Sequence, residues 1–366
     1  MSSAAAPDEA QKVSPATTLR VLGLHLIALS LPLYTLAFVL SGPHPWYASL
    51  PWAAAVPVVA VLDRRSGSAL HEPLEGIPAW PFDAMLVALT ALQVVNVALA
   101  ARMIAQGGLL SADTVVAALL VGANSGYSAI VVAHELIHRK SRWMVALGRL
   151  LLCTVMYEHF FVEHVRGHHM RIGTESDPAT ARFGETYGQF WERTVRAQFA
   201  SAWRLEAKRL GDEGMRWYDR RMLRSAVVHG LLAEAAIAAA VLAAFGPAAL
   251  VLLLGQAYVA VRLLEAVNYF EHYGLRRQGR KVRPVDSWDS DSWFTLFALV
   301  GLSRHADHHA YAARPFQALR TWEESPKLPA GYVVMVLMVI FDNPRARRLL
   351  GEELERRRLG PFAAPG

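Results

Sequence analysis

The chain has 366 residues, of which 54% are hydrophobic and 19% charged, and its mean hydropathy is +0.24. A soluble domain contains about 45–50% apolar and about 25% charged residues, so this composition argues against a soluble globular enzyme and against a disordered chain. The net charge is +6, and fourteen histidines accompany a single cysteine, Cys153. One cysteine excludes a disulfide framework, a thiolate zinc cluster and an iron–sulfur cluster held by this chain alone. Any metal here is therefore bound by nitrogen and oxygen.

The apolar segments, taken in chain order, predict six membrane-spanning helices, because about 20 apolar residues are enough to cross a bilayer. Residues 1–17 are small and polar and predict a flexible N-terminal tail. The first apolar run is longer than the core of a cleaved signal peptide, so we expect a retained anchor. The last apolar block is broken at Gly246-Pro247 and predicts a hairpin of two spans. The predicted spans are about 19–40, 46–62, 83–101, 113–133, 222–245 and 248–267.

These spans place 18–350 in a single membrane-embedded domain, followed by a C-terminal tail over 351–366. The connection 41–46 contains no lysine or arginine, whereas 139–221 contains 15 basic and 10 acidic residues. Since basic residues are enriched in cytoplasmic loops, we expect 139–221 and both termini on the cytoplasmic side. The apolar stretch 144–157 is too short for a seventh span and predicts an interfacial or buried helix.

Four histidine clusters lie at or beyond the predicted cytoplasmic ends of apolar segments. In HELIHRK (134–140), His134 and His138 are four residues apart, so one helix face presents both rings to one ion. The other clusters are EHVRGHH (163–169), NYFEHYGL (268–275) and LSRHADHHA (302–310). Neighbouring protonated rings would repel each other in a dry site, whereas metal-bound histidine is neutral. The clusters therefore predict a metal centre with the ligands His134, His138, His164, His168, His169, His272, His305, His308 and His309.

Nine imidazoles exceed what one ion uses, and two ions with four or five ligands each would take the whole set. Imidazole suits iron, copper, zinc or nickel, so the ligand type leaves the metal open. Two divalent cations beside a membrane need anions nearby, and each cluster contains one acid next to a histidine. Adjacent helix residues point in different directions, so we expect these acids to orient histidines of other clusters. The four acids are Glu135, Glu163, Glu271 and Asp307.

Five further histidines are isolated in the sequence and are predicted to be structural rather than metal ligands. They are His25, His44, His71, His159 and His229. Three other functions fit less well. A zinc metalloprotease would use HELIH with Glu135 as general base but needs only one further ligand. A transporter would carry its ionisable residues near mid-membrane, and nucleic-acid binding has no motif here, since basic residues alternate with acids.

The four clusters, in this order and between these spans, resemble the membrane-bound alkane 1-monooxygenases of bacteria. That family lies within the histidine-rich superfamily of integral-membrane fatty-acid desaturases and hydroxylases. NYFEHYGL is typical of the branch that hydroxylates hydrocarbons. The similarity continues in TESDPATARFGE (174–185), SWDS (287–290), FQALR (316–320) and LPAGY (328–332).

The resemblance implies an all-α integral membrane protein, a six-helix bundle with a cytoplasmic di-iron site. The nine histidines would bind two non-haem iron ions, and no haem or flavin is expected on this chain. The implied reaction inserts one oxygen atom of O2 into the terminal C–H bond of a medium-chain n-alkane and gives a primary alcohol. The substrate would enter from the bilayer, and we expect its channel among the third and fourth spans, within 84–101 and 115–133. The implied location is the bacterial inner membrane.

Electrons are expected from an external rubredoxin or ferredoxin with its reductase. A basic docking face is predicted on Arg276, Arg277, Arg280, Lys281 and Arg283, which could equally contact anionic lipid. Two alternatives remain open for the substrate. HELIHR resembles the xylene-type alkyl-aromatic methyl hydroxylases at Ile137 and Arg139, and Asp289 replaces an asparagine common in alkane enzymes. A membrane fatty-acid desaturase or hydroxylase would share the metal centre without NYFEHYGL.

Overall fold

A computed structural model describes residues 13–70, 73 and 76–363 of the chain. Apart from two isolated bridges, Ser68 to Ser292 and Asp289 to Lys327, this part of the chain forms helices, turns and loops without strands. The helices are α1 Pro15–Ser41, α2 Trp46–Arg65, α3 Trp80–Gly107, α4 Ala112–Ile137, α5 Arg142–Thr154, α6 160–171, α7 Tyr187–Arg209, α8 Ala226–Phe245, α9 Pro247–His272, α10 Trp293–Ala298, α11 His305–Ala310, α12 Tyr332–Phe341 and α13 Asn343–Arg357. Short 3-10 turns occur at Arg220–Arg224, Pro284–Asp286, Phe316–Ala318 and Gly360–Phe362.

Six helices are long and apolar enough to cross a membrane, namely α1 to α4, α8 and α9, which confirms the predicted fold class. Most of them extend beyond the predicted bounds. The fourth runs to Ile137 instead of 133, and the sixth to His272 instead of 267. An apolar window marks the part of a helix that lies in lipid, while polar residues continue the same hydrogen-bond ladder beyond it. His134 and His272 therefore stand on the last turns of spanning helices.

The two predicted tails need correction where the structure describes them. Residues 1–12 lie outside the described residues, but α1 already begins at Pro15. Ser14 is its N-cap, with the side-chain oxygen accepting a hydrogen bond from the Thr17 amide, and proline suits the first helical position. At the other end α13 continues to Arg357, through the start of the predicted tail. The buried Leu350 and Leu354 attach α13 to the protein.

The six spans alternate in direction, so their connections divide between two ends of the bundle. The short connections 42–45, 108–111 and Gly246 lie at one end. The ends of α4 and α9 that carry His134 and His272 lie at the other. These two helices pack closely in between, since a Cβ added to Gly122 would lie 2.6 Å from the Cβ of Val259. Small residues allow such close approach in lipid, where no hydrophobic effect drives helices together.

The shorter helices α5 to α7 and α10 to α13 form a layer over the histidine end of the bundle. This layer has its own apolar core, in which Trp288, Tyr332 and Leu350 pack against Tyr269 and Phe270 of α9. The layer fixes the end of α9 from outside the membrane. It therefore positions the region where the histidine clusters meet.

Candidate metal centre

The structure brings all nine predicted histidines together at one end of the bundle, in two adjacent groups. Within each group the facing ring nitrogens all lie within 4.8 Å of one another. Group A consists of His134, His138, His164, His169 and His308. Group B consists of His168, His272, His305 and His309. Four separate stretches of the chain therefore converge on one place.

The division of the histidines on α6 follows from a local change of helix type. Residues Glu163–His168 form a π-helical turn, in which backbone hydrogen bonds join residues five apart. His164 and His169 are five apart, and their Nε2 atoms lie 3.0 Å from each other in group A. His168 points to group B instead. An ordinary α-helix would have paired His164 with His168, four residues apart.

A second vicinal pair, on α11, is divided in the same way. His305 and His309 are four apart on this α-helix, and their Nε2 atoms lie 2.9 Å from each other in group B. His308 turns into group A, where its Nε2 lies 3.2 Å from that of His169. Successive α-helical residues point about 100° apart. Two neighbouring histidines therefore reach two different groups more easily than they reach the same group.

The donor atoms fit metal ions better than they fit each other. Two nitrogens bound to one ion at about 2.1 Å lie about 3.0–3.4 Å apart, close to the observed spacings of 2.9–3.2 Å between facing ring nitrogens. The Nε2 atoms of His134, His138 and His168 are buried and have no hydrogen-bond partner among the described residues. A buried polar atom without a partner is costly. A metal ion in each group would satisfy these atoms.

The protonation state of the rings also suits a metal. Burial lowers the pKa of His138 to about 4. On α6 and α11, burial and the surrounding rings hold the pKa values of five further histidines well below the usual range. These are His164, His169, His305, His308 and His309. The rings are therefore neutral near pH 7, which is the metal-binding form.

Two carboxylates lie against group B. Glu271 Oε2 is 3.2 Å from His305 Nε2, and Glu271 Oε1 accepts a hydrogen bond of 2.7 Å from the Tyr332 hydroxyl. Asp177 Oδ2 is 2.9 Å from His168 Nδ1 and also accepts a 2.6 Å hydrogen bond from Thr180. Although burial opposes it, the contacts with His168 and Thr180 hold the pKa of Asp177 below its usual value. Asp177 lies on the far nitrogen of His168, where a carboxylate fixes the orientation and tautomer of a metal-binding ring. Glu271 instead lies at the His305 nitrogen that faces the other rings of group B.

Asp177 was missed by the sequence analysis, and three of the four predicted acids contact arginine rather than a histidine ring. Glu135 pairs with Arg139, Glu163 with Arg171 and Asp307 with Arg314. The partner of Glu135 even lies in the same cluster, four residues further along the chain. Among the four, only Glu271 contacts a histidine of another cluster, His305. The string 174–185 carried the missing signal, because it contains Asp177 close after the second cluster.

An apolar cavity of about 300 Å³ reaches both groups from within the membrane region. Its polar lining consists mainly of His134, Asn268, Glu271, His305 and Tyr332, and the rest is almost entirely aliphatic or aromatic. Of the two spans expected to line a substrate channel, α4 lines this cavity over much of its length, whereas α3 contributes no lining residue. The wall is completed by α1, α2, α9, α10, α11 and α12. The apolar residues of α3 instead pack in the cores between helices.

The isolated histidines stand apart from both groups, as far as they are described. His25 lies among the rings of Phe82, Phe297 and Phe316, and His44 is 3.0 Å from Asp113. His159 packs against Tyr157 and Phe199, and His229 Nε2 is 2.8 Å from the Leu223 carbonyl oxygen. His71 lies outside the described residues.

Comparison with known proteins connects this geometry to one family. The fatty acid desaturase family matches residues 112–337, which include all nine histidines. Alkane 1-monooxygenase 1 of Pseudomonas aeruginosa is 43% identical over 61% of this chain and 59% of its own length. Alkane 1-monooxygenase of Acinetobacter baylyi is 34% identical over 82% of this chain and 73% of its own. The hydroxylase component XylM of the Pseudomonas putida xylene/toluene monooxygenase is 26% identical over 59% of this chain and 58% of its own. The matched region thus spans less than two thirds of the P. aeruginosa relative.

Proposed function

We propose, on the premise that this chain belongs to the fatty acid desaturase family and within it to the alkane 1-monooxygenases, that it hydroxylates the terminal carbon of medium-chain n-alkanes. The observation that carries the proposal is the convergence of nine histidines into two groups at an apolar cavity. The higher identity to alkane 1-monooxygenases than to XylM favours an alkane over a methylarene as substrate.

Two iron ions are proposed, one held by the five histidines of group A and one by the four of group B. When bound, the irons would supply the activation of O2 and the removal of hydrogen from the substrate carbon. The chain provides the imidazoles, with Asp177 aligning the ring of His168 from its far nitrogen and Glu271 lying beside the group-facing nitrogen of His305. An all-imidazole set also avoids thiolates, which a strong oxidant would attack.

The cavity supports binding of a hydrocarbon. Its aliphatic walls hold an alkyl chain and exclude water, while His134 and His305 form the part of the wall nearest to both metal groups. Val56 on α2 and Leu119 on α4 line the cavity and are 47% and 53% exposed on spanning helices. Since these helices face lipid, we infer that the alkane enters sideways from the bilayer, between α2 and α4.

The overall reaction consumes an alkane RH, O2, two electrons and two protons and yields the alcohol ROH and water. The electrons must come from a reductant, for which we propose rubredoxin or ferredoxin with its reductase. Support comes from Arg276, Arg280, Lys281 and Arg283, which are exposed on the loop after His272. An acidic donor protein would be attracted to such a surface.

We place the protein in the bacterial inner membrane with the metal groups on the cytoplasmic side. The connections at the opposite end, 42–45, 108–111 and Gly246, contain no lysine or arginine. The histidine end carries 139–221, which is rich in both. This asymmetry is the usual one for cytoplasmic loops, and the relatives named above come from bacteria.

The decisive test combines metal analysis with product identification. Purified protein is supplied with O2, a reductase–rubredoxin pair and, separately, octane, hexadecane and a methylarene. We expect two iron ions per chain and primary alcohols from the alkanes. Benzylic alcohol from the methylarene alone would favour the xylene-type alternative, and an unsaturated fatty acyl product would favour a desaturase. Protein that holds no iron would contradict the proposed centre.

A further inference from the structure

The segment between α7 and α8 combines exposed aromatic and basic side chains in a way that the proposed chemistry does not use. Residues 216–224 contain four arginines and one aspartate. Trp217, Tyr218 and Leu223 are 75%, 58% and 68% exposed. Exposed apolar side chains that lie together mark contact sites for proteins or membranes.

The backbone of 216–224 is held in place by contacts with its neighbours, although these side chains are exposed. Met215 and Met222 are buried in a small core with Ala207 of α7. The Leu223 carbonyl lies 2.8 Å from His229 Nε2, and the Arg224 carbonyl accepts a 2.8 Å hydrogen bond from Arg209. The backbone is thus attached to both flanking helices, while the side chains between the anchors face outward.

The position along the chain places this segment at a membrane surface. The span α8 has 20 residues, which corresponds to about 30 Å of helix and matches the hydrocarbon thickness of a bilayer. Its first residue, Ala226, therefore lies near the boundary of the hydrocarbon layer. Leu223 is three residues earlier, hence within about 11 Å of Ala226 along even a fully extended chain. Tryptophan and tyrosine are enriched at this depth.

The arginines are available to an anion outside the protein. Arg221 pairs with Asp219 at 2.8 Å, and Arg216 donates a hydrogen bond to the Tyr218 hydroxyl. Neither Arg220 nor Arg224 forms an ion pair with any described residue. We propose that 216–224 is a binding surface for anionic phospholipid headgroups, with Arg216, Arg220 and Arg224 contacting phosphate while Trp217, Tyr218 and Leu223 enter the interface.

Lipid bound here would act on the junction that supports α6. Glu206 is fully buried, accepts a 2.6 Å hydrogen bond from the Ala226 amide and pairs with Arg209 and Arg166. Arg166 lies on the π-helical turn between His164 and His168. Membrane contact at 216–224 thereby stabilises the helix pair against which the histidine-bearing turn packs.

The test measures the unfolding temperature of the full chain in zwitterionic micelles as anionic phosphatidylglycerol is added. We expect the unfolding temperature to rise. The combined change Arg216→Gln, Arg220→Gln and Arg224→Gln should raise the lipid concentration that gives half of this rise on the order of 100-fold, or about fivefold per arginine. The matched control removes the same charge from exposed residues of the C-terminal region by Arg345→Gln, Arg348→Gln and Arg358→Gln, and should respond as the unchanged protein does.

Three results would overturn the proposal. They are an unchanged lipid response in the 216–224 variant, an equal loss in the control, and an equal rise with inorganic phosphate alone. A change only in the salt dependence of electron delivery would assign the segment to a donor protein instead. None of these measurements needs substrate, so they stand or fall independently of the proposed hydroxylation.

A second measurement does not depend on stability. With Cys153→Ser the chain has no cysteine, and Leu223→Cys then provides a single site for a fluorophore on an exposed residue. Brominated phospholipid should quench a label at 223 strongly and a label at the exposed Arg345→Cys weakly. Equal quenching at the two positions, or none at 223, would contradict the proposed contact with the membrane.

Discussion

Groups A and B are built from the same residue type but differ in their surroundings. Group A has five histidines, and no carboxylate contacts them within the described part of the chain. Group B has four histidines and two carboxylates, Asp177 on His168 and Glu271 on His305. Among the described residues, nearby carboxylates would therefore balance the charge of a bound divalent ion in group B and not in group A. Two neighbouring groups of one residue type thus offer a bound ion different electrostatic surroundings.

The largest expected effect on turnover comes from replacing histidines of groups A and B. We expect His308→Ala and His309→Ala each to abolish turnover with loss of about one of two irons, although the residues are adjacent, because they belong to different groups. Combining them should remove both irons. Combining His134→Ala with His138→Ala should remove only one, because both lie in A. Iron analysis and turnover measure this.

His159→Ala and His229→Ala are the matched controls for the ligand variants, and both should keep their iron and their turnover. If either replacement proved as damaging as His308→Ala, the assignment of the nine ligands would be wrong. Equal iron loss in the two double variants would instead show that the division into two groups is wrong.

Next in size is the removal of the carboxylates that distinguish the groups. Asp177→Asn should weaken iron binding or turnover about 10–100-fold, since partners of metal-binding histidines typically contribute that much. The loss should concern the ion of group B. Asp307→Asn is the control, because this acid contacts Arg314 and the Trp322 indole and no histidine ring. Iron titration followed by absorption spectroscopy would show whether one of two binding phases changes. A change in both phases would contradict the assignment of Asp177 to one group.

A smaller effect is expected in the cavity, where both groups contribute a ring to the wall. Ala123 lines the cavity eleven residues before His134, or about 16 Å along α4. Ala123→Phe should block the far part and lower turnover of hexadecane about tenfold more than that of octane. Val115→Phe, on the same helix but outside the cavity, should not alter the ratio. Product ratios from mixed alkanes test this, and an unchanged ratio in Ala123→Phe would place the substrate elsewhere.

The smallest effect concerns the support of α6, which carries histidines of both groups. Although burial opposes it, hydrogen bonds from Arg209 and the Ala226 amide and the charge of Arg166 lower the pKa of Glu206 to about 2. A lowered folded-state pKa stabilises the protein above about pH 4.3, the usual unfolded value, and this stabilisation is lost as pH falls toward 2. Glu206→Gln should cost about 1–2 kcal/mol at pH 7, allowing for the partial exposure of both arginines.

The difference between Glu206→Gln and the unchanged protein should shrink between pH 4.3 and pH 3. Glu352→Gln, at the exposed pair with Arg348, should change stability little at either pH. Thermal unfolding followed across this range tests both. A penalty for Glu206→Gln that stays constant down to pH 3 would show that its ionisation contributes nothing.

The sequence allowed prediction of the features that depend on composition and local spacing. Six apolar segments identified the spans, and the ends of those segments located the histidines that the structure then brings together. The division into groups was not predictable, because periodicity arguments assume 3.6 residues per turn, whereas α6 is π-helical from Glu163 to His168. The contact of Asp177 with His168 was not predicted, because it depends on a loop that folds back onto His168. The absence of α3 from the cavity wall likewise depends on helix packing, which apolar composition does not determine.

The two divided pairs, His168 with His169 and His308 with His309, tie the two groups together covalently. Consecutive Cα atoms are 3.80 Å apart across a trans peptide, and this spacing does not change when helices shift or when the bilayer thins. The backbone thus limits, at two places, how far groups A and B can move apart. A shift of the spanning helices would therefore change the width of the cavity more than the separation of groups A and B.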